Sequence, residues 1–336
     1  LKQGFDLFYG YNCQRLGHHY YPFHIWDNDQ KVILKGNAGT AKGTYAPALI
    51  HERTLKFIED NKDKPFFAYV ASIIPHAELA APEEYMKQFR GKFDEPKPFK
   101  GVDDGSDLRL GRYQSQSEPR AAFAAMITLL DDQVGEIVAL TEKLGIAGNT
   151  LIFFTSDNGA HQEGGADPEF FNSNGPYRGQ KRDLFDGGVH VPMMAYWPGI
   201  ITAGTTSDHI SAFWDMVPTF TDLAGVPTPI NTDGLSMVPS LLGKGEQAEH
   251  PYLYWEFHEK GGRIAVRMGK WKGVRYNVLK HPNEPMKLFD LSVDPGEQKN
   301  LAAEHPETVG RIVAIMKKAR TNSEIFRFGQ MQFKGE

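Results

Sequence analysis

Two stretches decide the fold: Pro65-Phe66-Phe67-Ala68-Tyr69-Val70-Ala71-Ser72-Ile73-Ile74, which runs into Pro75-His76, and Thr150-Leu151-Ile152-Phe153-Phe154-Thr155, which runs into Ser156-Asp157-Asn158-Gly159. Each is a continuous apolar run that stops abruptly at a polar cluster. Strands buried on both faces read this way, whereas a strand with one wet face alternates. A third such run, Val191 to Trp197, follows a glycine-rich segment from Gly159 to Gly188.

Working outward, helical spacing fills the gaps. Ala46 to Asn61 places Leu49, Ile50, Leu55, Phe57 and Ile58 on one side and ends in a polar stop before Pro65. A short helix is expected near Glu83 to Phe89. Arg120 to Leu144 is the clearest helix, with Gly145 as its stop. Another spans Ala212 to Ala224. Strands alternating with helices imply an α/β domain, a sheet covered by helices on both faces. After about Glu249 the pattern changes to short alternating strands, Tyr252–Phe257, Ile264–Met268, Trp271–Tyr276 and Lys287–Leu291, with Gly269-Lys270 as a hairpin turn and a closing helix from Pro306 to Ala319. The expected organisation is an α/β portion over 1–248 and a small antiparallel sheet plus helix over 249–336.

The bulk numbers add limits. No apolar run approaches the roughly 18 residues of a membrane span. The net charge of −5 is mild and calls for no nucleic-acid partner, but it is unevenly spread. From Lys260 onward fifteen Lys and Arg face eight Asp and Glu. A basic region on an acidic body suits an anionic ligand, and it also describes an ordinary solvated face. The single cysteine, Cys13, excludes an internal disulfide framework.

Ligands of open α/β sheets bind beyond the carboxyl ends of the strands. If the first two runs are parallel neighbours, His76, Asp157 and Asn158 meet in one crevice. Adjacent Asp and Asn offer hard oxygen donors suited to Ca²⁺ or Mg²⁺ rather than Zn²⁺. The same tetrapeptide also reads as a plain turn. His76 reads as a catalytic or a structural histidine. Lys181, in Arg178-Gly179-Gln180-Lys181, follows glycines that let backbone approach an anion, and it also reads as an exposed lysine on a surface turn. His18-His19-Tyr20-Tyr21 is a further metal or glycan candidate, with a solvent-facing loop pair as the simpler expectation.

Taken in order, these segments resemble the motifs of type I sulfatases, formylglycine-dependent and arylsulfatase-like members of the alkaline phosphatase superfamily. The resemblance runs through Ile74-Pro75-His76, Thr155-Ser156-Asp157-Asn158-Gly159, Gly175-Pro176-Tyr177-Arg178-Gly179-Gln180-Lys181 and Asp186-Gly187-Gly188-Val189-His190-Val191-Pro192. It continues through Trp197-Pro198-Gly199 and Asp233-Gly234 to Lys287-Leu288-Phe289-Asp290-Leu291 and Asp294-Pro295-Gly296-Glu297. It implies an alkaline-phosphatase-like sheet sandwiched by helices and hydrolysis of a sulfate ester. Asp157 and Asn158 would supply oxygens to one Ca²⁺. His76 and Lys181 would contact the sulfate and its bridging oxygen, stabilising or protonating the leaving alkoxide.

The family's nucleophile is a hydrated formylglycine made from Cys or Ser in Cys/Ser-x-Pro-x-Arg. Three near matches fail. Asn12-Cys13-Gln14-Arg15 lacks the proline, Ser117-Glu118-Pro119-Arg120 brings its arginine one residue early, and Asn174-Gly175-Pro176-Tyr177-Arg178 begins with Asn. The expectation is a fragment, inactive alone, whose nucleophile and remaining metal ligands precede Leu1. The resemblance further implies a formylglycine-generating or sulfatase-maturating enzyme as partner and an exported protein.

Substrate contacts are expected from three further residues. His161 lies close in sequence to the metal candidates. Glu256 and His258, two apart on one expected strand, share a face. The loop Gly164 to Asn174 reads either as an entrance lining or as a plain structural loop, and a sulfated glycan or small molecule would suit the basic run from Lys260 to Lys287. Two rivals differ in class. A phosphodiesterase or phosphonate monoester hydrolase of the same superfamily generally places His after the strand-end Asp, where this chain has Asn158. A non-catalytic glycan-binding relative would lack the nucleophile altogether.

Overall fold

A computed structural model describes residues 4–109, 111–229, 231–324 and 327–329. The chain folds into two compact units that interleave in sequence. One comprises Leu1–Thr150 with His161–Phe171, the other Leu151–Ala160 with Asn172–Glu336.

In the first unit, strands β1 (Tyr9–Gly10), β2 (His24–Asp27) and β3 (Gln30–Ile33) form an antiparallel sheet in that order. The two-residue turn between β2 and β3 needs a positive φ, which Asn28 supplies at 56°. Helices α1 (Ala46–Asn61), α2 (Glu83–Met86), α3 (Gly105–Arg109) and α4 (Pro119–Lys143) follow. The α4 helix starts with proline at its first turn and buries Ala121, Ala122, Ala125, Met126 and Leu129, an i, i+3, i+4 stripe. It stops at Gly145 (φ 71°), where Gly145 N donates to Glu142 O (3.0 Å) and Ile146 N to Thr141 O (3.0 Å). The buried stripe packs with Tyr20, Tyr45, Leu79 and Met86 as the core of this unit.

One expected strand does not form. Residues 65–74 pair with no strand among the described residues, and Phe67, Tyr69 and Val70 are 56%, 71% and 43% exposed. Apolarity marks this stretch for burial, but a ladder also needs a partner's N–H and C=O groups, and no described strand supplies them.

The second unit opens with β4 (Ile152–Thr155), α5 (Asp186–Val189) and β5 (Met193–Tyr196). β4 pairs antiparallel with β5, Thr155 opposite Met193, so the parallel neighbour expected for β4 is replaced by an antiparallel one. Helices α6 (Met216–Leu223) and α7 (Val238–Leu242) precede a four-stranded antiparallel sheet: β6 (Leu253–Phe257), β7 (Arg263–Met268), β8 (Trp271–Tyr276) and β9 (Lys287–Asp290). Helix α8 (Pro306–Lys318) closes it. The two-residue alternation sorts this sheet's faces. Ala265, Val274 and Phe289 pack with Leu184 and Phe185, while Val266 and Leu288 pack with Ile312 and Met316 of α8. At Gly273 a β-carbon would lie 2.8 Å from Ile312 Cγ2, so glycine lets α8 seat closely.

Candidate active site

In the second unit, three glycine-bearing segments are knitted backbone to backbone. Gly159 N donates to Gly188 O (3.0 Å), Gly187 N to Arg178 O (2.7 Å), and Lys181 N to Ala160 O (2.7 Å). A β-carbon on Gly159 would overlap the Gly187 carbonyl, and one on Gly188 would overlap the Asp183 carbonyl. Glycine is therefore required by close approach at both positions. Asn174 adds a cross-tie, accepting from Ala160 N (3.3 Å) and donating to Gly179 O (2.8 Å). This lacing fixes Lys181 relative to the loop that leaves β4.

That loop presents Asp157 and Asn158. Asp157 is exposed, and its carboxylate accepts no hydrogen bond from the described residues. Asn158 Nδ2 donates to Gly159 O (3.0 Å), which leaves Oδ1 as an acceptor without a described donor. Two adjacent uncommitted oxygens fit part of a Ca²⁺ shell, which takes six to eight. Among the described residues no group of three or more His, Cys, Asp or Glu gathers as a metal site. Burial holds the Lys181 ammonium below the ordinary lysine range, opposed by the attraction of Asp157.

In the first unit, His76 is held from both sides. Its N–H donates to Ile73 O (2.7 Å), and the buried Tyr20 hydroxyl donates to His76 O (2.8 Å) and Ile73 O (2.9 Å). Its Nδ1 donates to Ala77 O. His161 stacks on it, ring centroids 5.6 Å apart with planes at 26°. His161 Nε2 donates to Pro75 O (2.9 Å) while Nδ1 lies 3.5 Å from Glu163 Oε2. The Nε2 side of His161 is thus engaged inside the protein, with Nδ1 facing the Glu163 carboxylate. Its structural part is to clamp the Pro75-His76 corner.

Sequence reasoning missed the order around His18 and His19. They are not a solvent-facing pair. His19 Nε2 donates to Leu108 O (2.8 Å) with Nδ1 3.5 Å from the buried Glu78, and His18 stacks on His76 at 5.3 Å and 13°. The partners that order them, Gly111, Leu108, Glu78 and His76, are all distant in sequence, so no local pattern marks the arrangement. Of the remaining expected contacts, Glu256 is bound by Arg320 and the Tyr254 hydroxyl, and His258 meets the Phe328 ring edge-on at 5.0 Å.

A buried ionic cluster underlies the glycine lacing and was also missed. Lys272, on β8, pairs with Asp186 and lies 3.4 Å from Glu297 Oε1, while Glu297 Oε2 accepts from Asp186 N (2.6 Å). Arg178 donates to Glu297 O (2.9 Å). Burial pushes the Glu297 carboxyl up to about 6, against the pull of Lys272.

The comparisons with known proteins agree with one another. The Sulfatase family model matches residues 2–226, and the model described as N-sulphoglucosamine sulphohydrolase, C-terminal, matches 178–323. N-acetylgalactosamine-6-sulfatase of Mus musculus is 29% identical over 376 residues, covering 95% of this chain and 62% of that protein. Arylsulfatase A of Bos taurus is 35% identical over 218 residues, covering 56% of this chain and 41% of that one. This chain therefore spans about three fifths of the length of the first of these curated relatives. Among solved structures, Ps i-CgsB superposes with a TM-score of 0.75 at 26% identity, covering 98% of this chain and 70% of that one. A second crystal structure of the same protein, with k-i-k-neocarrahexaose, gives 0.72 at 26%, covering 95% and 67%.

Proposed function

The chain belongs to the sulfatase family, and on that premise we propose that it serves in hydrolysing a sulfate ester of a carbohydrate, or of an aryl alcohol, with Ca²⁺ held in part by Asp157 and Asn158. The observation that carries this reading is the lacing of Lys181 to the Asp157-Asn158 loop through the Lys181 N to Ala160 O bond. It keeps one ammonium and two uncommitted oxygen donors on a shared rigid frame.

Sulfate ester hydrolysis breaks the bond between sulfur and the bridging oxygen, and that oxygen leaves as an alkoxide. A sugar alkoxide is too basic to leave unaided, so a proton must reach it as the bond breaks. We assign that part to His76 or Lys181. A partly desolvated ammonium such as Lys181 gives up its proton more readily than one in water, and its charge also opposes the sulfate's. Bound Ca²⁺ would neutralise sulfate oxygens at Asp157 and Asn158. The family's formylglycine supplies the attacking hydroxyl. The 336 residues contain no Cys/Ser-x-Pro-x-Arg, so no side chain of this chain is assigned that part and no step is drawn through it. His161, Glu256 and His258 are proposed as substrate contacts, 249–336 as a separate subdomain, a formylglycine-generating or sulfatase-maturating enzyme as partner, and an exported location. No described helix is long and apolar enough to cross a membrane.

The test uses the natural full-length chain produced with a formylglycine-generating enzyme. Inorganic sulfate release is measured over a panel of sulfated monosaccharides and p-nitrophenyl sulfate, with Ca²⁺. Turnover of at least one sulfate ester is expected. Faster cleavage of a phosphodiester, supported by Mn²⁺ or Zn²⁺, would transfer the chain to the phosphodiesterase reading.

A further inference from the structure

Three imidazoles of the first unit form a continuous stack: His161 on His76 at 5.6 Å, and His76 on His18 at 5.3 Å, with planes 26° and 13° apart. The ring of Tyr113 leans on the outer member, 5.0 Å from His18 at 51°, and also lies 6.1 Å from His76. His18 is therefore as closely associated with His76 as His161 is, although it lies 58 positions away in sequence.

One hydrogen bond fixes which nitrogen of His18 faces inward. Its Nδ1 lies 2.7 Å from the carbonyl oxygen of Gly111, and a carbonyl only accepts, so Nδ1 carries a proton. Gly111 reaches this position at a φ of 87°, with Arg15 Cβ packed 3.1 Å from where its own β-carbon would stand, an approach that favours glycine. The next two residues lock the segment further. His19 is bound to Leu108 O and Glu78, and Tyr20 N donates to Glu78 Oε1 at 3.3 Å. The half-buried ring is thus held at one nitrogen and on one face. Nε2 has no hydrogen-bond partner among the described residues.

We propose that His18 is a substrate-binding residue whose Nε2 accepts a hydrogen bond from a hydroxyl of the sugar that carries the sulfate. The chemistry selects that ligand. A neutral imidazole with its proton at Nδ1 offers a lone pair and no proton at Nε2. A sulfate group has only acceptor oxygens, so it cannot satisfy this nitrogen, whereas a sugar hydroxyl can. Stacking on His76 places the acceptor beside the residue assigned to the bridging oxygen. A hydroxyl on the sulfated sugar lies close to that oxygen, while a simple aryl sulfate has none to offer. The proposal rests on the sulfatase reading and narrows its substrate class from sulfate esters in general to sulfated sugars.

The experiment is a steady-state comparison of wild type and His18→Asn in the natural full-length, formylglycine-converted protein. Asn retains an N–H for the Gly111 carbonyl and has nothing at the position of Nε2. The substrates are the sulfated monosaccharide that wild type hydrolyses fastest and p-nitrophenyl sulfate. For the sugar, kcat/KM is expected to fall by about 10–100-fold, the cost of one lost acceptor in a desolvated site. The loss on p-nitrophenyl sulfate is expected to be at least tenfold smaller. His18→Gln, which returns a polar group toward the Nε2 position, should recover part of the sugar activity. Its use also covers the case in which the Asn variant fails to fold, as read from its thermal unfolding. Equal losses on both substrates would show that His18 only supports His76 and would overturn the proposal, as would no loss on either. If wild type releases sulfate from neither substrate, the sulfatase reading itself fails and the proposal falls with it.

Discussion

The Lys272 ammonium lies 3.4 Å from the Glu297 carboxylate, and neither side chain has any exposed surface. Lys272 also pairs with Asp186, whose following glycines lace the Lys181 segment to the β4 loop. A cation from the C-terminal sheet thus anchors the backbone that carries the candidate site. Removing one partner of a buried pair strands the other charge, which costs more than the pair contributes net. Lys272→Met is therefore expected to lower unfolding stability by about 3–5 kcal/mol. Urea titration checks this, and a loss below about 1 kcal/mol would show that the carboxylates find water instead.

Glu297 gives a pH signature. Its folded value of about 6 lies above the ordinary 4.5 because burial disfavours the charged form. The folded state therefore binds this proton more tightly than the unfolded state. Between pH 4.5 and 6 the folded protein holds more protons, so the contribution of Glu297 to stability falls as pH rises and is flat above. The span corresponds to about 2 kcal/mol. In Glu297→Gln this part of the pH dependence should vanish, as read from the difference between wild-type and variant denaturation curves at pH 4.5, 5.3 and 7. An unchanged difference across those points would place the proton elsewhere.

Gly159→Ala tests the lacing. The added methyl would overlap the Gly187 carbonyl, and both segments are backbone-bonded, so neither can yield alone. The expected cost is about 1–3 kcal/mol, seen as a lower thermal midpoint. Gly148→Ala, where a β-carbon meets open space, should shift the midpoint by less than about 0.5 kcal/mol equivalent.

Asp157→Ala and Asn158→Ala should each weaken Ca²⁺ binding to the natural full-length chain by at least about tenfold in isothermal titration calorimetry. Even residues that merely orient a metal ligand cost that much. Affinity unaffected by both would remove these residues from the metal.

Much of this was legible in sequence because the local signals agreed. The alternation of Trp271 to Tyr276, the Gly269-Lys270 turn and the helix from Pro306 give the C-terminal sheet and α8 to within a residue or two. Ala46 to Asn61 is helical throughout, and Gly145 stops α4 as expected. What failed was partnership. The apolarity of 65–74 and of β4 marks them for burial but does not name a neighbour, and one formed no ladder while the other paired antiparallel. Lys272 alternates with apolar residues and so reads as a solvated strand position. Only Asp186 and Glu297, distant in sequence, reveal it as buried. His18 was misread for the same reason, since Gly111 and His76 define its environment and neither adjoins it in sequence.

Sulfate release after metal exchange tests the central claim most directly. The natural full-length, formylglycine-converted protein is stripped with chelator and then supplied with Ca²⁺, and the same is done for Asp157→Ala and Lys181→Ala. The account predicts that wild type regains sulfate release on calcium and that both variants stay at least about 100-fold lower, the scale set by removing a group that stabilises transition-state charge. Full activity in both variants, or a wild type that releases no sulfate with calcium restored, would contradict it.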